Sequence, residues 1–196
     1  TYRNTMMKNT LLRPLALVTA LTLGVFTSAH AVEYTTLDAE ASSITFGYSQ
    51  MNVKMDGSFS ELTATELSFD PANPEAAKVA IEVVLSSIDA GYPDANVEIA
   101  KNEWLDIEQH PVATFTASNI EALGDGNYQV TGDLSIKGHT QTVSAPFSFT
   151  ESGDNGVFAG SFTFLRGDFK IGEGAWSSFG IVANEIDIDF ELVAKQ

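Results

Sequence analysis

The 196-residue chain contains no cysteine. Disulfide staples, thiolate metal sites, thiol nucleophiles and dithiol redox chemistry are excluded, so stability has to come from packing alone. Histidine is scarce: His30, His110 and His139 stand far apart, with no pair at metal-ligand spacing. Basic residues are few, ten Lys and Arg against 26 Asp and Glu for a formal charge of −16, and they form no cluster. Phosphate backbones are gripped by grouped Lys and Arg, so nucleic acid is excluded as a partner and attraction to anionic lipid surfaces is disfavoured. Three further signatures are missing. No Gly-x-Ser-x-Gly elbow occurs, Gly172-Glu173-Gly174 lacks the Lys-Ser/Thr of a phosphate loop, and no apolar run reaches the ~20 residues of a membrane span.

The longest apolar run, Leu15 to Phe26, follows Lys8 and Arg13 and precedes Ala29-His30-Ala31. A basic start, a short apolar centre and small residues at −3 and −1 of a break before Val32 spell a cleavable secretory signal. Residues 1–31 are therefore expected to be an export signal cleaved after Ala31, with residues 1–5 as extra upstream sequence. Residues 32–196 are expected to be one domain. Losing the signal would remove Arg3, Lys8 and Arg13 but no carboxylate, leaving a still more acidic surface that favours solubility. A domain of about 165 residues buries roughly 70% of its unfolded surface, enough for a core without staples.

What the rest of the chain has is alternation. Glu185-Ile186-Asp187-Ile188-Asp189-Phe190-Glu191-Leu192 puts apolar residues on one face and carboxylates on the other, the period of a half-buried strand. The same pattern predicts strands at Tyr34–Leu37, Ser43–Ser49, Gly57–Asp70, Lys78–Ile88, Ala113–Ile120, Tyr128–Ile136, Gln141–Thr150 and Val157–Phe169. The phase slips between Phe59 and Leu62, which predicts a bulge. Asn96 to Leu105, with Val97, Ala100, Trp104 and Leu105 on one side, predicts the one helix of the domain. Eight or nine strands joined by tight turns read as all-β. A sandwich and a barrel both satisfy the alternation; the late run of hairpin turns favours an up-and-down barrel.

Catalytic groupings are thin. Asp187, Asp189 and Glu191 read as a solvated stripe that resists edge pairing, and Asp168 beside Arg166 and Lys170 as local charge balance. A secreted enzyme acting on a lipid-like substrate would have to draw its acid–base pair from Tyr92, His110 and Asp168. Aromatic supply stands out instead. The candidates for an apolar lining are Phe46, Tyr48, Phe59 and Phe69 in the first strands, then Ile81 and Val83, then Trp104 and Phe115. Leu134, Phe147, Phe162 and Phe164 continue it in the later strands, and Trp176 and Phe179 in the Gly-rich stretch 167–180. Two readings fit: these side chains fill a core, as in a stress or adhesion protein with a surface role, or they enclose a cavity for an apolar ligand.

Several stretches together resemble the YceI-like (polyisoprenoid-binding) proteins over 32–196. They are Tyr34-Thr35-Thr36-Leu37-Asp38 with Ser43-Ile44-Thr45-Phe46, Gly57-Ser58-Phe59 with Leu67-Ser68-Phe69-Asp70-Pro71, and His110-Pro111-Val112-Ala113-Thr114-Phe115. The most specific is Gly132-Asp133-Leu134-Ser135-Ile136-Lys137-Gly138-His139-Thr140; Arg166-Gly167-Asp168-Phe169-Lys170-Ile171-Gly172 and Val182-Ala183-Asn184-Glu185-Ile186 are also similar. The resemblance implies an antiparallel eight-stranded lipocalin-like barrel with one short helical excursion. It also implies a periplasmic carrier that transports or stores a long isoprenoid lipid, an isoprenoid quinone or a polyprenyl chain, without catalysis, metal or other cofactor. A homodimer and a membrane-bound redox partner stay open as protein partners. Where many members carry Arg-Asp before the helix, this chain has Ala95-Asn96. A missing cation at that place favours a neutral head such as a quinone ring over a phosphate.

Overall fold

The computed structural model describes residues 32–196. The export signal expected over 1–31, its extra residues 1–5 and the cleavage after Ala31 lie outside the described residues.

Ten strands and one helix follow in order: β1 (Thr36–Gln50), β2 (Val53–Phe59), β3 (Leu62–Ser68), β4 (Lys78–Val84), β5 (Ile88–Asp89), α1 (Pro93–Ile99), β6 (Val112–Gly124), β7 (Asn127–Ile136), β8 (His139–Ser152), β9 (Asn155–Leu165) and β10 (Glu185–Lys195). All pairs are antiparallel, in the order β3-β4-β6-β7-β8-β9-β10-β1-β2-β5. The two ends of that order are continuations of strands already in it. β2 and β3 are one stave bent at Ser60-Glu61, and β4 and β5 are one stave interrupted by the 3-10 turn Leu85–Ser87. The bent stave pairs β1 through β2 and the interrupted stave through both halves, Phe59 opposite Ile88 and Leu62 opposite Val83. The expected eight-stave barrel is therefore present, with two staves each broken once.

The breaks have a visible cause. The apolar phase slips between Phe59 and Leu62, so a straight strand would turn one of them outward. Leaving Ser60 and Glu61 out of the ladder restores the phase. Their N–H groups donate to Ser87 Oγ at 3.2 and 3.1 Å, and Val84 N–H donates to Glu61 O at 3.0 Å. The broken staves are stitched to each other.

One end of the barrel is plugged. Tyr34 and Phe69 exchange backbone hydrogen bonds of 2.9 and 3.1 Å there, and both side chains are fully buried. Phe69 sits at the centre of an aromatic cluster, its ring centroid 5.0 Å from those of Phe149 and Phe158 and 5.5 Å from Tyr128. Edge-on contacts of this kind add to the area each ring buries.

The opposite end carries the Met51-Asn52 turn, the segment 90–111, the Lys137-Gly138 turn and the loop 166–184. The helix differs from expectation. It starts at Pro93, whose missing N–H costs nothing in the first turn, and ends at Ile99 rather than Leu105. Leu105 N–H then folds back onto Ile99 O, and the chain turns through Asp106 in the left-handed region (φ 50°). Trp104 and Leu105 thus reach the core from a turn.

Four inward glycines shape the wall. A Cβ at Gly57 would lie 2.2 Å from the Phe46 ring, at Gly132 2.6 Å from Phe115, at Gly156 2.4 Å from Phe149 and at Gly160 2.6 Å from Phe190. Each ring occupies the place of a missing side chain on the neighbouring strand, so its volume lies in the wall. At Gly132 a Cβ would also meet Thr116 O at 2.5 Å, a backbone atom held in the ladder. Gly132→Ala should therefore destabilise the barrel by about 1–3 kcal/mol, read as a lower urea midpoint. A midpoint equal to the parent's would remove the close approach from the account.

Candidate binding cavity

The barrel encloses a cavity of about 300 Å³ between the aromatic plug and the loop-bearing end. Its wall is almost wholly apolar. On β10 the even residues Ile186, Ile188, Phe190 and Leu192 all line it, while Asp187, Asp189 and Glu191 face outward. The burial of the lining decides between the two readings of the aromatic surplus. In a filled core these four side chains would be dry; they are only half-buried, as are Ile44, Phe115, Phe162 and Phe164. They face a void and not one another.

The lining candidates come together here with two exceptions. Phe46, Tyr48, Phe59, Ile81, Val83, Trp104, Phe115, Leu134, Phe147, Phe162, Phe164 and Trp176 all line the cavity. Phe69 does not: the plug closes over it, because its strand has already passed the last turn of the wall and pairs with Tyr34. Phe179 does not either. It is 49% exposed and lies outside, against the Arg166 guanidinium at 4.9 Å from ring centroid to Cζ.

Arg166 is the residue that the sequence misplaced. It is fully buried, and no carboxylate lies within ion-pair distance among the described residues. Its charge is spread over backbone carbonyls instead. Nε donates to Ala183 O (3.1 Å), Nη1 to Ile171 O (2.7 Å) and Gly172 O (3.1 Å), and Nη2 to Val182 O (2.8 Å), Trp176 O (3.0 Å) and Ser178 O (3.5 Å). Burial draws its pKa below the usual value, yet a guanidinium stays protonated in proteins. One side chain thereby satisfies carbonyls along the whole loop 166–184. Gly172 (φ 79°) is required beside it, since a Cβ there would lie 2.2 Å from Nη1. Asp168, read as balanced by Arg166 and Lys170, makes an ion pair with neither among the described residues.

Further bonds hold this loop over the barrel. Lys137 Nζ, nearly buried, donates to Lys170 O (2.7 Å) and Glu173 (3.0 Å). Trp176 Nε1 donates to Glu98 Oε1 at 2.9 Å and so ties the loop to α1. At the mouth, Tyr48 donates to Ala90 O (2.9 Å) and Tyr92 to Gln50 Oε1 (3.4 Å). Burial, with Tyr92 nearby, pushes the Tyr48 hydroxyl above its ordinary pKa, so it stays neutral. Gln50, Tyr92 and Glu98 line the cavity and carry no apolar periodicity that would have found them. Of the three acid–base candidates, Tyr92 alone is on the cavity wall; His110 sits beneath the Lys137-Gly138 turn and Asp168 in the loop after β9. No group of three metal-ligating side chains occurs among the described residues, and no described helix is long and apolar enough to cross a membrane.

An antiparallel barrel plugged at one end, covered by loops at the other and hollow between them is a lipocalin-like container. The chain belongs to the YceI-like domain family, which it matches over residues 35–194. It is 30% identical to a UPF0312 protein of Pseudomonas savastanoi pv. phaseolicola over 147 residues, 71% of this chain and 74% of that protein. Among solved structures, Burkholderia cenocepacia BcnA superposes with a TM-score of 0.78 at 34% identity, covering 81% of this chain and 99% of that one. A polyisoprenoid binding domain from Saccharophagus degradans superposes with a TM-score of 0.65 at 17% identity, over 85% and 99% respectively, a likeness of fold.

Two outcomes follow from the cap. Arg166→Lys offers three donors on one point in place of a planar fork, so several buried carbonyls lose their partners. It should cost about 3 kcal/mol or more of unfolding free energy and raise amide exchange over 166–184; unchanged exchange there would contradict the clamp. The second outcome concerns acid. Lys101 chiefly, then the Trp176 indole, hold Glu98 below its ordinary 4.5, and Lys137 does the same for Glu173. Lowered carboxylate values stabilise the folded state above pH 4.5, a contribution lost as pH falls through the folded values. Exchange over 172–178 should therefore rise below pH 4.5 ahead of the barrel strands. Simultaneous loss of both would sever the cap from these two carboxylates.

Proposed function

We propose that this protein is a periplasmic carrier that holds one long isoprenoid, with an uncharged head such as a quinone ring, inside the barrel and performs no covalent chemistry on it. The observation that carries the reading is the half-buried apolar lining around a lumen that no side chain fills. Such a wall gains roughly 0.8 kcal/mol for each CH₂ it takes out of water, and a branched polyprenyl chain offers many. The family match and the Saccharophagus degradans neighbour, a polyisoprenoid binding domain, support the same ligand class. The export-signal pattern before Val32 supports the compartment.

Charge argues for the uncharged head. The N–H groups of Arg166, the cation on the cavity wall, are committed to backbone carbonyls. Glu98 at the same end is ionised and would repel a phosphate. A polyprenyl phosphate finds no free cation at the cavity, and a ring with carbonyl or hydroxyl oxygens needs none.

Organic extraction of the purified protein, followed by mass spectrometry, should release an isoprenoid with a neutral head. A phosphorylated polyprenyl would overturn the head-group reading, and repeated lipid-free preparations would overturn the carrier. Ile188→Trp provides the matched control. Its side chain points into vacant space, so the larger ring should fill the lumen and abolish co-purified lipid while the melting temperature falls by no more than a few degrees; an overpacked core would lose about 1–3 kcal/mol.

A further inference from the structure

The apolar side chains left in solvent are not spread evenly. Among the described residues nine large hydrophobic side chains are exposed, and six of them, Met51, Val53, Tyr92, Val97, Phe179 and Ile181, belong to the loop-bearing end. Backbone and side-chain bonds draw them together. Met51 N–H donates to Ile181 O at 2.7 Å, Val53 is the cross-strand partner of Gln50, and the Tyr92 hydroxyl donates to Gln50 Oε1 at 3.4 Å. Phe179 lies two residues before Ile181 on the same loop. On α1, Ala95, Glu98 and Ile99 line the cavity, which leaves Val97 outside at 66% exposure.

This collar borders the mouth of the container. Gln50 and Val182 line the cavity, while Met51 and Ile181, one residue away from each, do not. Tyr92 belongs to both, a wall residue that is 39% exposed. An apolar surface therefore runs from the lumen to the outside, and exposed patches of this kind mark interaction sites.

Charge points to the partner. The chain has 26 Asp and Glu against ten Lys and Arg. Yet the three stretches that carry five of the six collar residues, 41–53, 90–93 and 174–184, contain no Asp, Glu, Lys or Arg. Their polar members at the mouth are neutral: Gln50, Asn52, Ser177 and Ser178. A protein partner of so acidic a molecule would be steered by basic groups meeting carboxylates, and the carboxylates are kept off this patch. Apolar and tyrosine side chains among neutral polar ones suit the boundary between headgroups and hydrocarbon. Exposed charges of both signs return just beyond the collar, at Lys54, Asp94, Glu173 and Glu185, where zwitterionic headgroups would meet them. The acidic body meanwhile turns the molecule away from anionic lipid.

We infer that the collar docks the protein, mouth first, on a bilayer of zwitterionic lipid, so that an isoprenoid passes between membrane and lumen without crossing water. The inference rests on the carrier reading above and adds the surface from which the cargo is collected. A tail that crossed water would expose all of its apolar area on the way; contact at the mouth removes that step. The collar thus governs the rate of loading and leaves the affinity of the lumen alone.

Met51 (φ 49°) occupies left-handed backbone that aspartate tolerates, and neither Met51 nor Val53 lines the cavity. Met51→Asp/Val53→Glu therefore charges the collar without touching the lumen, and Leu123→Asp, at the plug end, is the control. In flotation with phosphatidylcholine vesicles, the lipid-stripped parent and Leu123→Asp should rise with the vesicles, and the double variant should bind about tenfold less or weaker. Added phosphatidylglycerol should weaken the parent's binding. Menaquinone-4 offered in solution should bind the parent and the double variant within about twofold, whereas its uptake from the vesicles should be about tenfold slower in the double variant. A parent that does not float, a double variant that floats equally, or binding strengthened by phosphatidylglycerol would overturn the inference. So would a collar substitution that changes the oligomeric state on a sizing column, which would make the collar a contact between copies. Menaquinone-4 that fails to bind the parent from solution would overturn the carrier reading, while flotation, measured without cargo, still decides the docking. Should the double variant fail to fold, Met51→Asp alone takes its place.

Discussion

The buried Arg166 guanidinium is the constraint on which the loop-bearing end depends. A loop of nineteen residues drawn over a hydrophobic barrel leaves carbonyls with no ladder to bond, and each unmet acceptor is costly away from water. One planar side chain with five N–H groups answers several of them at once, from Ile171 to Ala183. The choice of carbonyls over a carboxylate matters to function. A paired Asp or Glu would cancel the charge at a point; carbonyls disperse it and still leave no N–H for a ligand. The charge therefore acts on structure, and the cavity it overlooks keeps an apolar character.

The hollow itself comes from how bulk is distributed. Twelve phenylalanines in a domain spanning 32–196 would ordinarily meet in the middle. Three of them, Phe46, Phe115 and Phe190, lie instead across glycines of the adjacent strand, at Gly57, Gly132 and Gly160. Rings that fill wall positions leave the axis vacant, whereas the rings of Phe69, Phe149 and Phe158 converge only at the plug. Glycine and phenylalanine are used as a pair: one opens a gap in the wall and the other closes it from next door.

Much of this was legible from alternation. The Ile186–Leu192 face, the Leu134 strand and the Phe162–Phe164 strand have the period of a half-buried sheet, and their inward sets are the observed lining. Periodicity is a property of one strand, however, and it fails where a residue's role is set by another part of the chain. Phe69 has the right phase, but its strand ends beside Tyr34, so it joins the plug. Phe179 and Arg166 were misread for the same reason: local charge and apolarity say nothing about a loop that folds back on its own carbonyls. The helix was displaced because Trp104 and Leu105 share an apolar side by proximity in a turn, while Pro93 marks the true start. Whether aromatics fill or enclose was undecidable from composition, since both arrangements use the same residues.

The staves pair with their neighbours in sequence at every step but one. β10 must find β1, joining Thr36 to Lys195 across nearly the whole domain. Pairings of such separation carry the largest loop-closure entropy and form late. Until the last strand arrives, the chain is an open curl with two unsatisfied edges and its apolar inner face exposed to solvent, the condition in which sheets join other sheets. The outward row Asp187, Asp189 and Glu191 lies on that last strand. During synthesis and folding it is a guard on the edge that stays unpaired longest, and only afterwards an ordinary stretch of solvated surface.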